Sequence, residues 1–249
     1  MSALLTPSAT GAVTTRVLTQ LRRDHRTLAM LLVLPCALMS VLWWMFHGLP
    51  GEGFSRLGPA LLALIPFIIM FLVTSVTTLR ERTSGTLERL LAMPMGKLDF
   101  LLGYALAFGL VAAVQSALAV GVCVVLLDLS IAGPVWMLMV VAVVDAVLGT
   151  ALGLFVSAFA RTEFQAVQFM PALVIPQILL CGLFVPRDAL PRVLDVISDA
   201  LPLSYAVDAM QHVASSGRTG EVWTDIALVA AYAVAGLALG ALTLRRQSD

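Results

Sequence analysis

Charge is what this sequence has least of. Only 12% of its 249 residues are Asp, Glu, Lys or Arg, against 60% hydrophobic. A soluble domain carries about 25% charged residues, and half of that leaves too little polar surface to coat a water-soluble globule of this length. A soluble enzyme, a disordered chain and a secreted disulfide scaffold are therefore excluded, and a polytopic membrane protein remains. Cysteine is scarce as well. Cys36, Cys123 and Cys181 each sit in an apolar run, there is no C-x-x-C, and three thiols so spread make no disulfide framework. They read as small hydrophobes. Net charge is zero, with 15 bases against 15 acids, so nothing in the balance points to nucleic acid.

The motifs of bound-cofactor chemistry are missing too. No G-x-x-x-x-G-K-[ST] phosphate loop occurs; the single Gly96-Lys97 pair precedes Leu98 and has no glycine five residues before it. The chain does not hydrolyse ATP by that route. No H-E-x-x-H occurs, and His25, His47 and His212 are far apart, so no metal site is expected. There is no G-x-S-x-G elbow and no pair of acids within one apolar stretch, hence no catalytic constellation.

What is there is a series of long apolar runs. A helix crossing about 30 Å of hydrocarbon needs about 20 apolar residues. Six stretches qualify, near 28–47, 59–79, 101–127, 134–159, 167–185 and 224–244. This predicts an all-α fold, a single six-span domain over 1–249 with both termini on one side. Arg16, Arg22, Arg23, Arg26, Arg80, Arg82, Arg89, Lys97, Arg161, Arg245 and Arg246 fall on that side, and Arg56, Arg187, Arg192 and Arg218 on the other. The bias makes the termini cytoplasmic and the membrane the cell's inner one.

Residues 1–27 do not read as a cleavable signal peptide. Over 12–27, Val13, Val17 and Leu21 recur at i, i+4, i+8, with Leu18 beside them and Arg16, Gln20 and Arg23 elsewhere. That pattern suits an amphipathic helix in the membrane interface, or else a solvated arm. Between spans 2 and 3, Thr83, Ser84, Gly85 and Thr86 offer turn and N-cap chemistry. Leu87, Leu90 and Leu91 form an apolar face, and Pro94 ends it, so 82–94 reads as a short capped helix. The segment 186–222 is the longest loop. Leu190, Val193, Leu194, Ile197 and Leu201 make a helical stripe in it, broken by Pro186, Pro191 and Pro202, and a second apolar piece runs from Tyr205 to Val213. Such a loop suits short helices lying on or dipping into the outer leaflet.

A few intramembrane residues stand out. Asp145 lies in the middle of span 4, where a charge costs about 2.5–3.5 kcal/mol. Gln115 and Thr150 are its candidate partners. A structural hydrogen bond and a place on a transport path are both open. Span 5 has Pro171 and Pro176, with Gln168 and Gln177 positioned to satisfy the carbonyls they release. On span 2, Phe67, Met70, Phe71 and Thr74 share one face, a surface suited to bulky apolar ligands or to ordinary helix packing.

The stretch 80–94, R-E-R-T-S-G-T-L-E-R-L-L-A-M-P, resembles the cytoplasmic signature of type-2 permeases of ATP-binding-cassette exporters. Gly182, Phe184, Val185 and Pro186, then Leu190-Pro191 and L-P-L-S-Y-A-V-D-A-M at 201–210, resemble the family's second signature, in the daunorubicin-resistance style. The resemblance implies a coupling helix with Glu81, Arg82, Gly85, Thr86, Glu88 and Arg89 seated on a separate ATPase. It implies a smaller contact at Arg161, Thr162 and Glu163. Spans 2 and 5 would line a path at a dimer axis, through Phe67, Met70, Phe71 and Thr74 and through Met170, Val174, Gln177 and Ile178. The segment 186–213, with Pro186, Pro191, Tyr205 and Asp208, would be a re-entrant outer gate. Two such permeases, identical or related, would stand on two ATPases that hold ATP and Mg, with no cofactor on this chain. The implied cargo is an amphipathic small molecule, an antibiotic or other drug, or a membrane lipid. The other readings are a non-transporting self-protection or sensory module of the same fold, and an intramembrane enzyme built around Asp145.

Overall fold

A computed structural model describes residues 7–46, 53–84, 97–215 and 219–243. Among these residues the secondary structure is helical. The α-helices are α1 (Pro7–Arg23), α2 (His25–Phe46), α3 (Gly53–Thr83), α4 (Lys97–Val125), α5 (Val135–Ser157), α6 (Glu163–Leu180), α7 (Arg192–Asp199), α8 (Pro202–Ser215) and α9 (Thr219–Thr243). Six of them, α2, α3, α4, α5, α6 and α9, are long and apolar enough to cross a membrane. The protein is an all-α polytopic membrane protein.

The helix ends differ from the apolar windows for local reasons. The second span was expected over 59–79, but α3 runs Gly53–Thr83, because Arg80, Glu81 and Arg82 continue the helix past the point where hydropathy fails. Glu81 and Arg82 are thus the last turn of a span rather than the start of a separate helix. The fifth span begins earlier than 167, at Glu163, where the Thr162 hydroxyl accepts from the Gln165 amide at 3.1 Å and caps the helix. The expected 12–27 helix is Pro7–Arg23. Asp24 then opens α2, accepting from the Thr27 amide at 3.1 Å and from its hydroxyl at 2.7 Å. Arg26 therefore belongs to the first span.

The stripe on α1 is spent on protein rather than on lipid. Val13 and Val17 are buried with Phe100, Leu101 and Tyr104 of α4, and Leu18 and Leu21 pack against the same cluster. Gly103 makes this approach possible, since a Cβ there would lie 2.6 Å from the Val13 side chain. The Thr14 hydroxyl donates to the Gly103 carbonyl at 3.2 Å.

The centre of the bundle is the α3–α5 pair. Gly149 and Gly153 sit one turn apart on α5, and a Cβ on either would lie 2.5 or 2.6 Å from the carbonyl oxygens of Phe67 and Phe71 on α3. Small residues at that spacing let two backbones touch where no hydrophobic drive exists between helices in lipid. Helix α5 also packs against α4 and α9, and is buried along most of its length.

Helices α7 and α8 form a structured return at one end of the bundle. The Leu203 amide donates to the Gln177 side chain of α6 at 3.3 Å, and the Tyr232 hydroxyl to the Ala200 carbonyl at 3.2 Å. Tyr232 lies well inside α9, about 20 Å from its start at 1.5 Å per residue. At its other end, α8 meets the α4–α5 connection, whose Ala132 and Gly133 amides donate to the Ala214 and Val213 carbonyls at 2.8 and 2.9 Å. Helix α8 thus rises through the outer part of the bundle from mid-depth to its end.

Candidate functional site

At the end of the bundle carrying α1, the chain gathers both flanks of the 85–96 segment. Glu81, buried in the last turn of α3, accepts from Arg16 at 3.0 Å and from Gln20 at 3.1 Å, both on α1. On the other flank, Thr10 of α1 donates to Asp99 in the first turn of α4 at 3.0 Å. Arg82 turns back to the Ser157 carbonyl at the end of α5, at 2.7 Å. Arg80 grips Glu163 through two hydrogen bonds of 3.0 and 3.1 Å, tying the end of α3 to the start of α6. The expected contact residues thus separate. Arg161, Thr162 and Glu163 lie exposed beside α3, whereas the heads of Glu81 and Arg82 turn into the fold. Gly85, Thr86, Glu88 and Arg89 lie outside the described residues. Arg16, Gln20, Thr10 and Asp99 are partners that sequence reasoning missed, because ion pairs so distant in sequence leave no local pattern.

The same end carries a titratable cap. The hydrogen bonds from the Thr27 side chain and backbone hold the exposed Asp24 carboxyl below its ordinary value.

The face of α3 read as ligand-facing is turned inward. Phe67, Met70, Phe71 and Thr74 are all fully buried. Phe67, Phe71 and Thr74 pack on the glycine notches of α5, and Met70 joins the α1–α4 cluster. Their shared spacing is that of helix packing. On α6, Val174 is fully buried and Gln177 nearly so, while Met170 and Ile178 are half-buried. Gln177 donates to the Leu173 carbonyl at 3.0 Å, one residue past the carbonyl that Pro176 releases. Ala166 is also buried, but much of α6 is exposed, including the apolar side chains of Phe164, Val167, Leu173, Ile175 and Leu179.

Asp145 is wholly buried, and neither carboxyl oxygen has a hydrogen-bond partner among the described residues. The expected partners do not supply one. Thr150 donates to the Ala146 carbonyl at 3.1 Å, along its own helix, and the Gln115 amide is itself without a partner among the described residues.

At the opposite end, Arg187 organises the return. It pairs with Asp208 of α8 and with Asp199 of α7, and its guanidinium stacks 5.5 Å from the ring centre of Tyr205. Tyr205 donates to the Asp199 carbonyl at 2.6 Å. Pro186 and Pro191 stand just before the 3-10 turn and before α7, fixing where each starts. Gly182 takes a left-handed backbone, φ +88°, that lets the chain turn out of α6 toward Arg187. His212 of α8 reaches Glu221 and Asp225 of α9 at 3.8 and 3.4 Å. The sequence flagged Tyr205 and Asp208 but gave Arg187 and His212 no role.

Six spans, a glycine-notched core and a helical return before the last span make up a polytopic membrane domain. The chain belongs to the ABC-2 type transporter family, whose model matches residues 8–214. Among curated relatives, ABC transporter G family member 20 of Dictyostelium discoideum is 25% identical over 205 residues, covering 81% of this chain and 28% of that one. The probable multidrug ABC transporter permease YbhR of Escherichia coli strain K12 is 26% identical over 155 residues, 62% of this chain and 42% of its own. The inner membrane transport permease YhhJ of the same strain is 26% identical over 181 residues, 72% and 48% respectively. The chain spans between about a quarter and about half of the length of these relatives.

Proposed function

We propose that the chain is the membrane subunit of an ATP-driven exporter that moves amphipathic small molecules, drugs or antibiotics, or lipids out of the cell, energised by a separate ATPase that holds ATP and Mg. The observation that carries this is the assembly around 85–96. One helix, α1, holds the end of α3 through Glu81 and the start of α4 through Asp99, so a push on the intervening segment reaches two spans at once. The exposed loop at Arg161–Glu163 sits beside it through Arg80 and gives a second foothold. Energy then enters as a difference in affinity of the ATPase for two arrangements of the spans, with no chemistry on the cargo. Two copies, or one copy and a related permease, would meet across the exposed apolar face of α6 and enclose the path between them. The description of YbhR as a probable multidrug permease supports a drug as cargo.

Co-purification from the native membrane tests the proposal. An ATP-binding-cassette ATPase is expected to come down in equal amount with this chain and to be released by Glu88→Arg. If no ATPase accompanies the chain under gentle detergent, a non-transporting module of the same fold takes its place.

A further inference from the structure

The end of the bundle away from α1 holds a cavity of about 870 Å³, between the first turns of α3, the α4–α5 connection, the rise after α6 and the last turn of α8. Its size is that of a small-ligand site. Its chemistry is one-sided. Among the described residues that line it, Arg56 is the one with a charge, and Ser55, Ser130, Gln211 and Ser215 add neutral polar groups. Leu57, Ile131, Leu183 and Phe184 supply the apolar wall.

Arg56 is exposed and has no ion pair among the described residues. Arg187, close by, is held by two carboxylates. One cation is therefore committed to structure, and the other has no carboxylate partner among the described residues. Arg56 also stands in the first turn of α3, where the positive end of the helix dipole favours an anion. The apolar side of the cavity runs out onto open surface, where Phe184 is 66% and Val185 44% exposed. In a six-span protein that surface meets acyl chains. Charge at the head and a route for a tail together describe an anionic lipid better than a small free anion.

We propose that this cavity binds an anionic phospholipid, its phosphodiester on Arg56 and the start of its acyl chains along Leu183 and Phe184. The site lies within one copy of the chain and needs no ATPase.

Native mass spectrometry of the full purified chain, titrated with phosphatidylglycerol or with phosphatidylcholine of the same acyl chains, tests this. Phosphatidylglycerol is expected to bind about tenfold more tightly. Arg56→Gln should remove that preference and Arg56→Lys should keep part of it. Arg192→Gln, at an exposed cation of the same end outside the cavity, should leave it intact. Equal binding of the two lipids, or equal loss in Arg56→Gln and Arg192→Gln, overturns the site. Displacement of phosphatidylglycerol by millimolar inorganic phosphate overturns the lipid and leaves a free-anion site. Thermal midpoints of the variants, expected within a few degrees of the parent, show that loss of binding is not loss of fold. Failure of the ATPase to co-purify would leave all these outcomes readable.

Discussion

Asp24 shows what one exposed carboxylate can do at a helix start. It caps α2 through two bonds to Thr27, and those bonds hold its carboxyl below the usual range. A carboxyl lowered in the folded state stabilises fully above its unfolded value of about 4 and loses that contribution as pH falls through the folded one. Asp24→Ala is expected to lower the thermal midpoint at pH 7 by about 2–4 °C, the effect of about 1 kcal/mol in a chain of this size. The gap to the parent should narrow below about pH 4 in detergent unfolding curves. A gap constant down to pH 3 would mean that Asp24 acts by packing alone. At this scale the sequence was half legible. The depth of Asp145 follows from neighbouring residues, whereas the cap at Thr162 was not read from them. The partners of Glu81 and Arg187 do not follow, because they come from other helices. The Phe67–Thr74 stripe left two readings open, since a helix face that touches a glycine-lined neighbour has the same periodicity as one that lines a cavity.

Among the elements, α1 carries the clearest consequence. Its amphipathic pattern predicts a helix with one apolar face, and α4 covers part of that face. The pattern reveals that a face is apolar, not what covers it. With α1 packed on α4 and clasping Glu81, the proposed function makes the Arg16–Glu81 pair a joint between 85–96 and α3. Glu81→Arg puts two cations in contact, and substrate-stimulated ATP hydrolysis of the assembled complex is expected to fall at least tenfold while the chain still purifies. Combining it with Arg16→Glu restores the opposite charges and should recover most of that activity. A double variant no better than Glu81→Arg would show that the pair does not transmit.

For the whole molecule, hydropathy fixed the number of spans, because six apolar windows each overlap one long helix. It left the order of packing hidden. That α5 is central, and that α6 keeps most of its surface bare, depends on glycines and on three-dimensional contacts. Alternating passage puts α1 and the α5–α6 loop at one end and α7–α8 at the other, and the excess of Lys and Arg is the ground for proposing that the first end is cytoplasmic. A membrane-impermeant maleimide should accordingly label Arg192→Cys in intact cells and Arg161→Cys only after permeabilisation. The native thiols interfere little, since Cys123 and Cys181 are buried and Cys36 is partly covered. Labelling of Arg161→Cys in intact cells would invert the topology.

The double grip of α1, on the end of α3 and on the start of α4, also bears on how such a protein could change its company. The residues that hold the two ends of this interval lie outside Gly85–Gly96. On the proposed function, residues inside it could be exchanged to suit a different ATPase while the spans keep their sequence. A new pairing could then arise by a short graft rather than by redesign of the channel.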